Sequence, residues 1–352
     1  MTIRTDTPSL SNPTLKVSEL DEHALIERIK AAAPNPFTEI PIGIGDDAAV
    51  IESESGTLTA VTTDTLVEGV HFELNFSKPF DIGHKALAIN LSDLAAMGAT
   101  PRYFVLSLGL PSMFLLRDFD ALLSGLLELS TRYRVNLIGG NVTRSSGPLF
   151  IDITAFGGVK RRRILTRHTA RVGDELYVSG TIGSAAAGLT WLQQHTPKQL
   201  TSEHLAKCRQ QYLRPEPRVR LGTLLGKNRI THTCIDLSDG LAEGVRQLAS
   251  TSGLGVIINA AALPIEPEAR TWFERQKFDP VIRSLKGGDD YELLFTVPPN
   301  SGRNLAAIQR LVKDLPLTSI GYITKEPSLV LRRNGRNEQL PQGYQHFRET
   351  SD

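Results

Sequence analysis

Carboxylate-bearing residues recur in five short segments of this 352-residue chain, each beside an apolar run. Gathered carboxylates repel one another and resist desolvation unless cations lie among them. The oxygens of Asp, Ser, Thr and Asn suit Mg²⁺, and neighbouring glycines let the backbone approach a phosphate. The segments therefore predict a phosphate site with several Mg²⁺ ions, assembled from distant parts of the chain. They are Gly43 to Asp47, Thr62 to Thr65, Asn90 to Asp93, Asp236 to Gly240 and Gly287 to Asp290.

Each acidic segment also has a plainer interpretation. Residues 43–48 match the dinucleotide fingerprint G-x-G-x-x-A, but that motif must open a helix, and residues 48–52 have the pattern of a strand. For residues 43–48, a tight turn with solvated acidic side chains remains an alternative interpretation. Asp64 could be a polar strand end and Asp93 an exposed helical charge. Ser238 or Asp239 could simply cap the helix that follows.

Two glycine-containing segments could hold an anion or could be purely structural. Gly139-Gly140-Asn141 follows an apolar strand and is expected to form either a plain turn or a phosphate cradle. Residues 180–183 lead from a strand into a helix of small residues, and such a turn could leave amide groups free for an anion. A close-packed helix start is the favoured interpretation of that segment in isolation.

The elements that position these residues mix helices and strands in both halves of the chain, with hairpin-type neighbours expected in the first half. Residues 58–63 are predicted as a strand. Residues 81–98 are predicted as a helix with an apolar stripe at Leu87, Leu91 and Leu94. The fold class is therefore α+β/αβ. We expect a loose tail over 1–19, an N-terminal domain over 20–165 and a C-terminal α/β domain over 166–352.

Composition and absent motifs exclude several classes of protein. The chain is 40% hydrophobic and 22% charged with a net charge of +1, so no global field favours nucleic acid or a membrane surface. No apolar stretch approaches a membrane span in length. Cys208 and Cys234 form no disulfide framework, zinc motif or redox motif, which favours a reducing, cytoplasmic location. Without a P-loop, a protein-kinase motif set or a G-x-S-x-G elbow, no catalytic nucleophile is predicted.

Taken in order, the segments resemble those of the thiamine-monophosphate kinases. That family belongs to the superfamily of aminoimidazole ribonucleotide synthetase, selenophosphate synthetase and a hydrogenase maturation factor. The TDTLVEGVHF stretch points to the thiamine branch. The matching stretches begin at Gly43 (GIGDDAAV), Thr62 (TTDTLVEGVHF), Lys85 (KALAINLSDLAAMGATP), Leu137 (LIGGNVTR), Leu165 (LTR), Gly180 (GTIGSAAAGL), Ile235 (IDLSDGL), Gly287 (GGDDYELLF) and Gly343 (GYQHF).

The resemblance implies a two-domain aminoimidazole ribonucleotide synthetase-like fold and a homodimer whose N-terminal domains pair through their sheets. The N-terminal domain would bind ATP and Mg²⁺ and mediate dimerisation. The implied reaction is ATP-dependent phosphorylation of thiamine monophosphate to thiamine diphosphate, with several Mg²⁺ ions and no covalent enzyme intermediate. A superfamily relative acting on another substrate, and a catalytically weak protein that binds nucleotide or thiamine phosphates, remain alternatives.

The same resemblance implies three sets of site residues and shows two departures from the family pattern. Asn141 stands where the family usually has Asp, and Asp289 stands where it often has Glu; the first removes a charge and the second shortens a side chain. The implied Mg²⁺ ligands are Asp47, Thr62, Thr63, Asp64, Asp93, Asn141, Asp236 and Asp239. The implied ATP contacts are Gly140, Asn141, Arg167 and Ser238. The implied contacts to the thiamine substrate are His71, Asp289 and Tyr344.

Overall fold

The structure is a computed structural model that describes residues 14–33, 40–45, 48–52, 54–194, 205–299 and 301–343. It divides into two compact units. Unit 1 comprises residues 1–55, 61–90 and 101–156, and unit 2 comprises residues 56–60, 91–100 and 157–352. The domain boundary expected from the sequence stays a prediction.

The strands, numbered in chain order, are β1 (Leu58–Val67), β2 (Thr100–Pro111), β3 (Asn136–Ser145), β4 (Phe150–Val159), β5 (Glu175–Ser179), β6 (Cys234–Asp236), β7 (Gly255–Asn259), β8 (Leu293–Val297), β9 (Leu317–Thr324), β10 (Leu329–Arg333) and β11 (Arg336–Gln339). The α-helices are α1 (Glu22–Ala32), α2 (Pro79–Ala96), α3 (Leu116–Tyr133), α4 (Ser184–Gln194), α5 (Ala206–Leu213), α6 (Val219–Asn228), α7 (Leu241–Ser252), α8 (Pro267–Arg275), α9 (Pro280–Lys286) and α10 (Gly302–Leu311).

The sheet of strands β1 to β4 has the order β1-β4-β2-β3. Strands β2 and β3 are parallel, with Ser107 opposite Asn141, and α3 lies between them in sequence because parallel neighbours need a crossover connection. The expectation of hairpin-type neighbours in the first half was therefore wrong: β3 and β4 follow each other in sequence, but β2 lies between them. The Gly-Gly-Asn segment is not a turn either, since it lies within β3.

Helices α2 and α3 both pack apolar side chains against the rest of the protein. Phe119, Leu122 and Leu126 on α3 are at most 2% exposed, and the helix ends where Arg134 adopts a left-handed conformation. Residues 81–90 of α2 are all buried, so this helix is enclosed beyond its predicted stripe. Strand β1 lies at the edge of the sheet; its face with Thr59, Val61, Thr63 and Thr65 is exposed, and the opposite face is half-buried from Ala60 to Asp64 and buried at Leu66. The strand predicted over residues 48–52 was wrong, because only an isolated bridge joins Val50 to Ile42.

Unit 2 contains a seven-stranded sheet of order β11-β10-β7-β9-β5-β8-β6. Strand β5 is antiparallel to both β8 and β9, and β6 is antiparallel to β8. The apolar core of unit 2 includes Leu176, Ile235, Leu294 and Ile320, each at most 2% exposed. Within the described part of the chain, no helix is long and apolar enough to cross a membrane.

Candidate functional site

Strand β1 divides its polar side chains between two faces. Thr63 Oγ1 lies 3.0 Å from Thr154 Oγ1, and Thr65 Oγ1 donates to Asp152 at 2.5 Å, so these two threonines face the polar residues of β4. Because side chains alternate along a strand, Thr62 and Asp64 point to the opposite face. A cation held by Thr62 and Asp64 side chains could therefore take only a backbone oxygen from Thr63. The alternation of side chains along a predicted strand was enough to place Thr63 on the opposite face from Thr62 and Asp64.

The loop after β1 places His71 close to the strand's end. His71 Nδ1 accepts a hydrogen bond from the Val67 amide at 3.1 Å, and the ring is half-buried. A neutral imidazole that accepts at Nδ1 carries its proton on Nε2. The hydrogen bond therefore orients the ring and places the donor hydrogen on Nε2.

A groove of about 710 Å³ within unit 1 contains the Gly-Gly-Asn segment of β3. Its walls come from α1, residues 43–45, Ala48, Ala49 and the facing parts of β2 and β3. A Cβ atom on Gly140 would lie 1.9 Å from the Leu106 carbonyl oxygen, so only glycine allows the two strands this approach. Asn141 is exposed and lines the same groove. The implied ATP contacts Gly140 and Asn141 therefore share one groove of unit 1.

The acidic segment at 236–240 lies in unit 2 at the end of β6. Asp236 is 4% exposed, and its carboxylate accepts a hydrogen bond from Ser92 Oγ at 2.9 Å. Asp93, half-buried, follows Ser92 on α2 within the same unit. The N-cap of α7 is Gly240, with φ of +88° and no side-chain cap. The N-cap position therefore belongs to Gly240 and not to Ser238 or Asp239.

The second acidic segment of unit 2 is bound to the first through its backbone. The Asp289 amide donates to the Ser238 carbonyl at 2.7 Å, and the Tyr291 amide donates to the Leu237 carbonyl at 3.0 Å. A Cβ atom on Gly288 would lie 2.5 Å from the Ser238 carbonyl oxygen. Backbone hydrogen bonds thus join residues 236–240 to residues 287–291, and we call these two segments the paired loops. They contain the implied metal and ATP residues of 236–239 and the implied substrate residue Asp289.

Asp290 shows what the amide groups at the start of α4 bind. This side chain is 1% exposed, and its carboxylate accepts hydrogen bonds from the Gly183 amide at 2.7 Å and the Ala185 amide at 3.1 Å. Burial raises the pKa of Asp290 to about 8, against the lowering effect of those two hydrogen bonds. The chain's own carboxylate therefore occupies the turn that could have received a phosphate, and the packed-helix interpretation of residues 180–183 is confirmed.

A buried ion pair lies beside the paired loops. Glu292 is 2% exposed and pairs with Arg218 through two hydrogen bonds, one of them 2.7 Å from Nε to Oε2. Ser179 Oγ also donates to Glu292. Burial raises the pKa of Glu292, although the charge of Arg218 lowers it. Sequence reasoning missed Glu292, Arg218 and Ser179, which are far apart in the chain and carry no recognisable spacing.

The remaining implied residues have simpler settings. Arg167 is exposed, and its guanidinium donates to Gln247 Oε1 on α7 at 2.8 Å. Asp47 and Tyr344 lie outside the described residues. Cys208 and Cys234 are both buried and free of disulfides, as predicted, and burial raises the pKa of the Cys208 thiol to about 12.

Among the residues that the structure describes, no three His, Cys, Asp or Glu side chains gather in a way that could hold a metal ion. Unit 1 places Thr62 and Asp64 on one face of β1 and contains Gly140 and Asn141 in its groove. Unit 2 brings Asp236, Ser238, Asp239 and Asp289 together in the paired loops. These oxygen donors suit Mg²⁺, which takes one or two protein carboxylates and completes its shell with water and substrate phosphate oxygens.

Two family models match the chain. Residues 45–159 match the N-terminal domain of AIR synthase related proteins, and residues 171–334 match the C-terminal domain. The chain is 34% identical over 339 residues to thiamine-monophosphate kinase from Bacillus subtilis, covering 94% of this chain and all of that protein.

Solved structures show the same similarity. The thiamine-monophosphate kinase of Stenotrophomonas maltophilia K279a superposes with a TM-score of 0.79 at 40% identity, covering 91% of this chain and 98% of the other. The structure of AaThiL complexed with AMPPCP and TMP superposes with a TM-score of 0.73 at 30% identity, covering 95% and 99%.

Proposed function

This chain belongs to the thiamine-monophosphate kinase family, and we propose that it transfers the γ-phosphoryl group of ATP to thiamine monophosphate, forming thiamine diphosphate and ADP. The observation that carries the proposal is the similarity over the whole length of a named relative, at 34% identity. A second relative that is similar over nearly its whole chain is described as a complex with AMPPCP and TMP, an ATP analogue and a candidate acceptor.

The chemistry of the acceptor explains why carboxylates are prominent in the proposed site. The attacking atom is a phosphate oxygen that is already anionic at neutral pH, so no strong base is needed to activate it. The difficulty is to bring two polyanions into line, and positioning is the main task of the protein. Both cysteines are buried, and burial raises the pKa of both thiols, which fits direct transfer without a covalent cysteine intermediate.

The residues of each unit divide this task. In unit 1, Gly140 and Asn141 would contact ATP in the groove, and Thr62 and Asp64 would present oxygens from β1. In unit 2, Asp236, Asp239 and Asp93 would supply further oxygens, Ser238 and Arg167 would contact ATP, and Asp289 would contact the acceptor. Thr63 would offer its backbone carbonyl oxygen to Mg²⁺, and Asp47 would be a further Mg²⁺ ligand. His71 would contact the thiamine substrate through Nε2–H, and Tyr344 would be a further contact to that substrate. Mg²⁺, when bound by these oxygens, neutralises phosphate charge and stabilises the transferring group.

We also propose that the protein is a homodimer that pairs through the sheet containing β1, and that it acts in the cytoplasm. The dimer is supported by exposed apolar side chains on this edge strand, where Val61 is 59% exposed and Leu58 is 37% exposed. An edge strand with exposed apolar residues is a ready template for pairing with another chain.

The test is ADP formation measured with thiamine monophosphate, with free thiamine and with no acceptor, all with ATP and Mg²⁺. We expect ADP only with thiamine monophosphate. Equal ADP formation with free thiamine would contradict an acceptor that must itself be anionic. ADP formed only with a different phosphate-bearing acceptor would favour another enzyme of the superfamily. Tight nucleotide binding without ADP would favour a binding protein.

A further inference from the structure

The turn from Asp289 to Tyr291 holds two non-glycine residues in left-handed conformations. Asp289 has φ of +65° and Tyr291 has φ of +49°. This conformation costs roughly 1–2 kcal/mol for each residue with a side chain, and it persists where surrounding contacts fix it. The contacts are the two amide hydrogen bonds to the 236–240 loop already described. The backbone of Asp289 is therefore held firmly before any substrate binds.

The side chains of this turn go in different directions. Asp290 is buried and bound to the start of α4, whereas Asp289 is only partly buried. Tyr291 is 7% exposed, and its hydroxyl donates a hydrogen bond to Asp289 Oδ1 at 3.0 Å. A hydrogen bond to one carboxylate oxygen favours one rotamer of the aspartate side chain. The Tyr291 phenol is therefore buried and lies next to the Asp289 carboxylate.

We propose that Tyr291 is a positioning residue, whose hydroxyl orients the Asp289 carboxylate toward the organic end of thiamine monophosphate; this inference rests on the proposed function. Thiamine carries a permanently cationic thiazolium ring and an aminopyrimidine, and both are suitable partners for a carboxylate. Asp289 is one methylene shorter than the glutamate expected from the family resemblance, so its reach depends closely on its rotamer. The hydroxyl of Tyr291 controls that rotamer.

The chain contains a matched control for the same kind of contact. Tyr177 donates its hydroxyl to Glu175 Oε2 at 2.7 Å, also two residues away, and its ring stacks on Phe295. This pair lies on strand β5, outside the paired loops. Tyr177→Phe removes a tyrosine–carboxylate hydrogen bond of the same spacing from unit 2 without touching the proposed site.

The experiment compares Tyr291→Phe with Tyr177→Phe by steady-state kinetics and by calorimetric binding of thiamine monophosphate without ATP. For Tyr291→Phe we expect KM and Kd for thiamine monophosphate to rise about fivefold, because a less well oriented Asp289 carboxylate keeps only part of its contact with the substrate. KM for ATP, kcat and Tm should stay near wild type. Tyr177→Phe should leave KM and Kd for thiamine monophosphate, KM for ATP, kcat and Tm near wild type.

A mutant cycle tests whether Tyr291 acts through Asp289. Asp289→Ala should raise both constants for thiamine monophosphate, and adding Tyr291→Phe should raise them no further. Unchanged constants in Tyr291→Phe, an equal rise in KM for ATP together with a lower Tm, or additive effects in the double mutant would each overturn the proposal. Wild-type protein that binds thiamine monophosphate without forming ADP would instead contradict the proposed kinase activity, and the binding constants would still test Tyr291. Wild-type protein that binds no thiamine monophosphate would overturn both.

Discussion

The two groups of candidate site residues are held in opposite ways. In unit 1, Thr62 and Asp64 are half-buried and lie on β1, a strand at the edge of its sheet. In the paired loops of unit 2, Asp236 is buried, and backbone hydrogen bonds join the two acidic segments directly. Preformed hydrogen bonds lower the cost of organising a site when its ligand arrives. The difference is that backbone hydrogen bonds join the two acidic segments of unit 2, whereas Thr62 and Asp64 lie on a strand at the edge of a sheet.

The largest expected effect separates activity from stability on β1. Asp64→Asn should lower kcat/KM for thiamine monophosphate by about a hundredfold or more, because a metal-ligand charge is lost. Its free energy of unfolding without ligands should change by no more than about 0.5 kcal/mol, since the side chain is not enclosed. Kinetics and urea unfolding measure the two quantities.

Asp152→Asn is the matched control for Asp64→Asn, because Asp152 lies on β4 among the residues of the opposite face. Its activity should stay within about twofold of wild type. If Asp64→Asn were as active as Asp152→Asn, Asp64 would leave the proposed metal set.

The next effect tests the rigidity of the paired loops. Gly288→Ala places a Cβ atom 2.5 Å from the Ser238 carbonyl oxygen, so the loops must move apart. We expect the free energy of unfolding to fall by about 1–3 kcal/mol and KM for both substrates to rise. Gly139→Ala in unit 1 is the stability control, because its nearest neighbour, Val105 Cγ1, would be 3.8 Å away. Equal unfolding free energies for the two variants would show that the loops are not rigid.

A smaller effect concerns the pH dependence of stability. The pKa of Asp290 is raised from 3.8 to about 8, so between these values the native state binds a proton that the unfolded state releases. Its contribution is therefore largest at low pH and is lost as pH rises through about 8. Asp290→Asn should remove this slope, at most about 1.4 kcal/mol per pH unit, in unfolding experiments without ligand.

Asp279→Asn provides a comparison of opposite sign. Burial opposes the shift, but the hydrogen bond from Arg333 lowers the pKa of Asp279, so its contribution is present at neutral pH and lost on acidification. This variant should be destabilised most at neutral pH. If Asp290→Asn kept the wild-type slope, Asp290 would already be ionised across the window.

The smallest expected effect is at Asn141 in the groove of unit 1. Asn141→Asp restores the charge that the family pattern usually has there, and the Mg²⁺ concentration for half-maximal activity should fall a few-fold, by about 0.5–1 kcal/mol of added attraction. The measurement is a Mg²⁺ titration at saturating ATP, followed by an ATP titration at saturating Mg²⁺. An unchanged Mg²⁺ curve, or a raised KM for ATP alone, would contradict a ligand position for Asn141.

Local patterns predicted part of the molecule well. The periodicity of residues 81–98 predicted α2, because packing faces repeat with the helix period. The acidic segments 236–240 and 287–290 were recognised as a group, and the structure joins them. Alternation along β1 could also have been used to separate the side chain of Thr63 from those of Thr62 and Asp64.

Long-range contacts decided what the sequence could not predict. Glycines in the Gly139–Asn141 segment suggested a turn, but Gly140 instead allows close pairing with β2. The amides at the start of α4 suggested an anion site, but Asp290, more than 100 residues away in the chain, takes that place. The left-handed turn at Asp289 and Tyr291 also has no local signature, since neither residue is glycine. Each of these depends on a distant partner.

The most direct measurement is ³¹P NMR of the wild-type protein with ATP, Mg²⁺ and thiamine monophosphate. The proposed kinase activity predicts that the thiamine monophosphate signal falls while the two phosphate signals of thiamine diphosphate rise with ADP in equal amounts, with no inorganic phosphate. Release of inorganic phosphate without thiamine diphosphate, or an unchanged thiamine monophosphate signal while ADP forms, would contradict phosphoryl transfer to this acceptor.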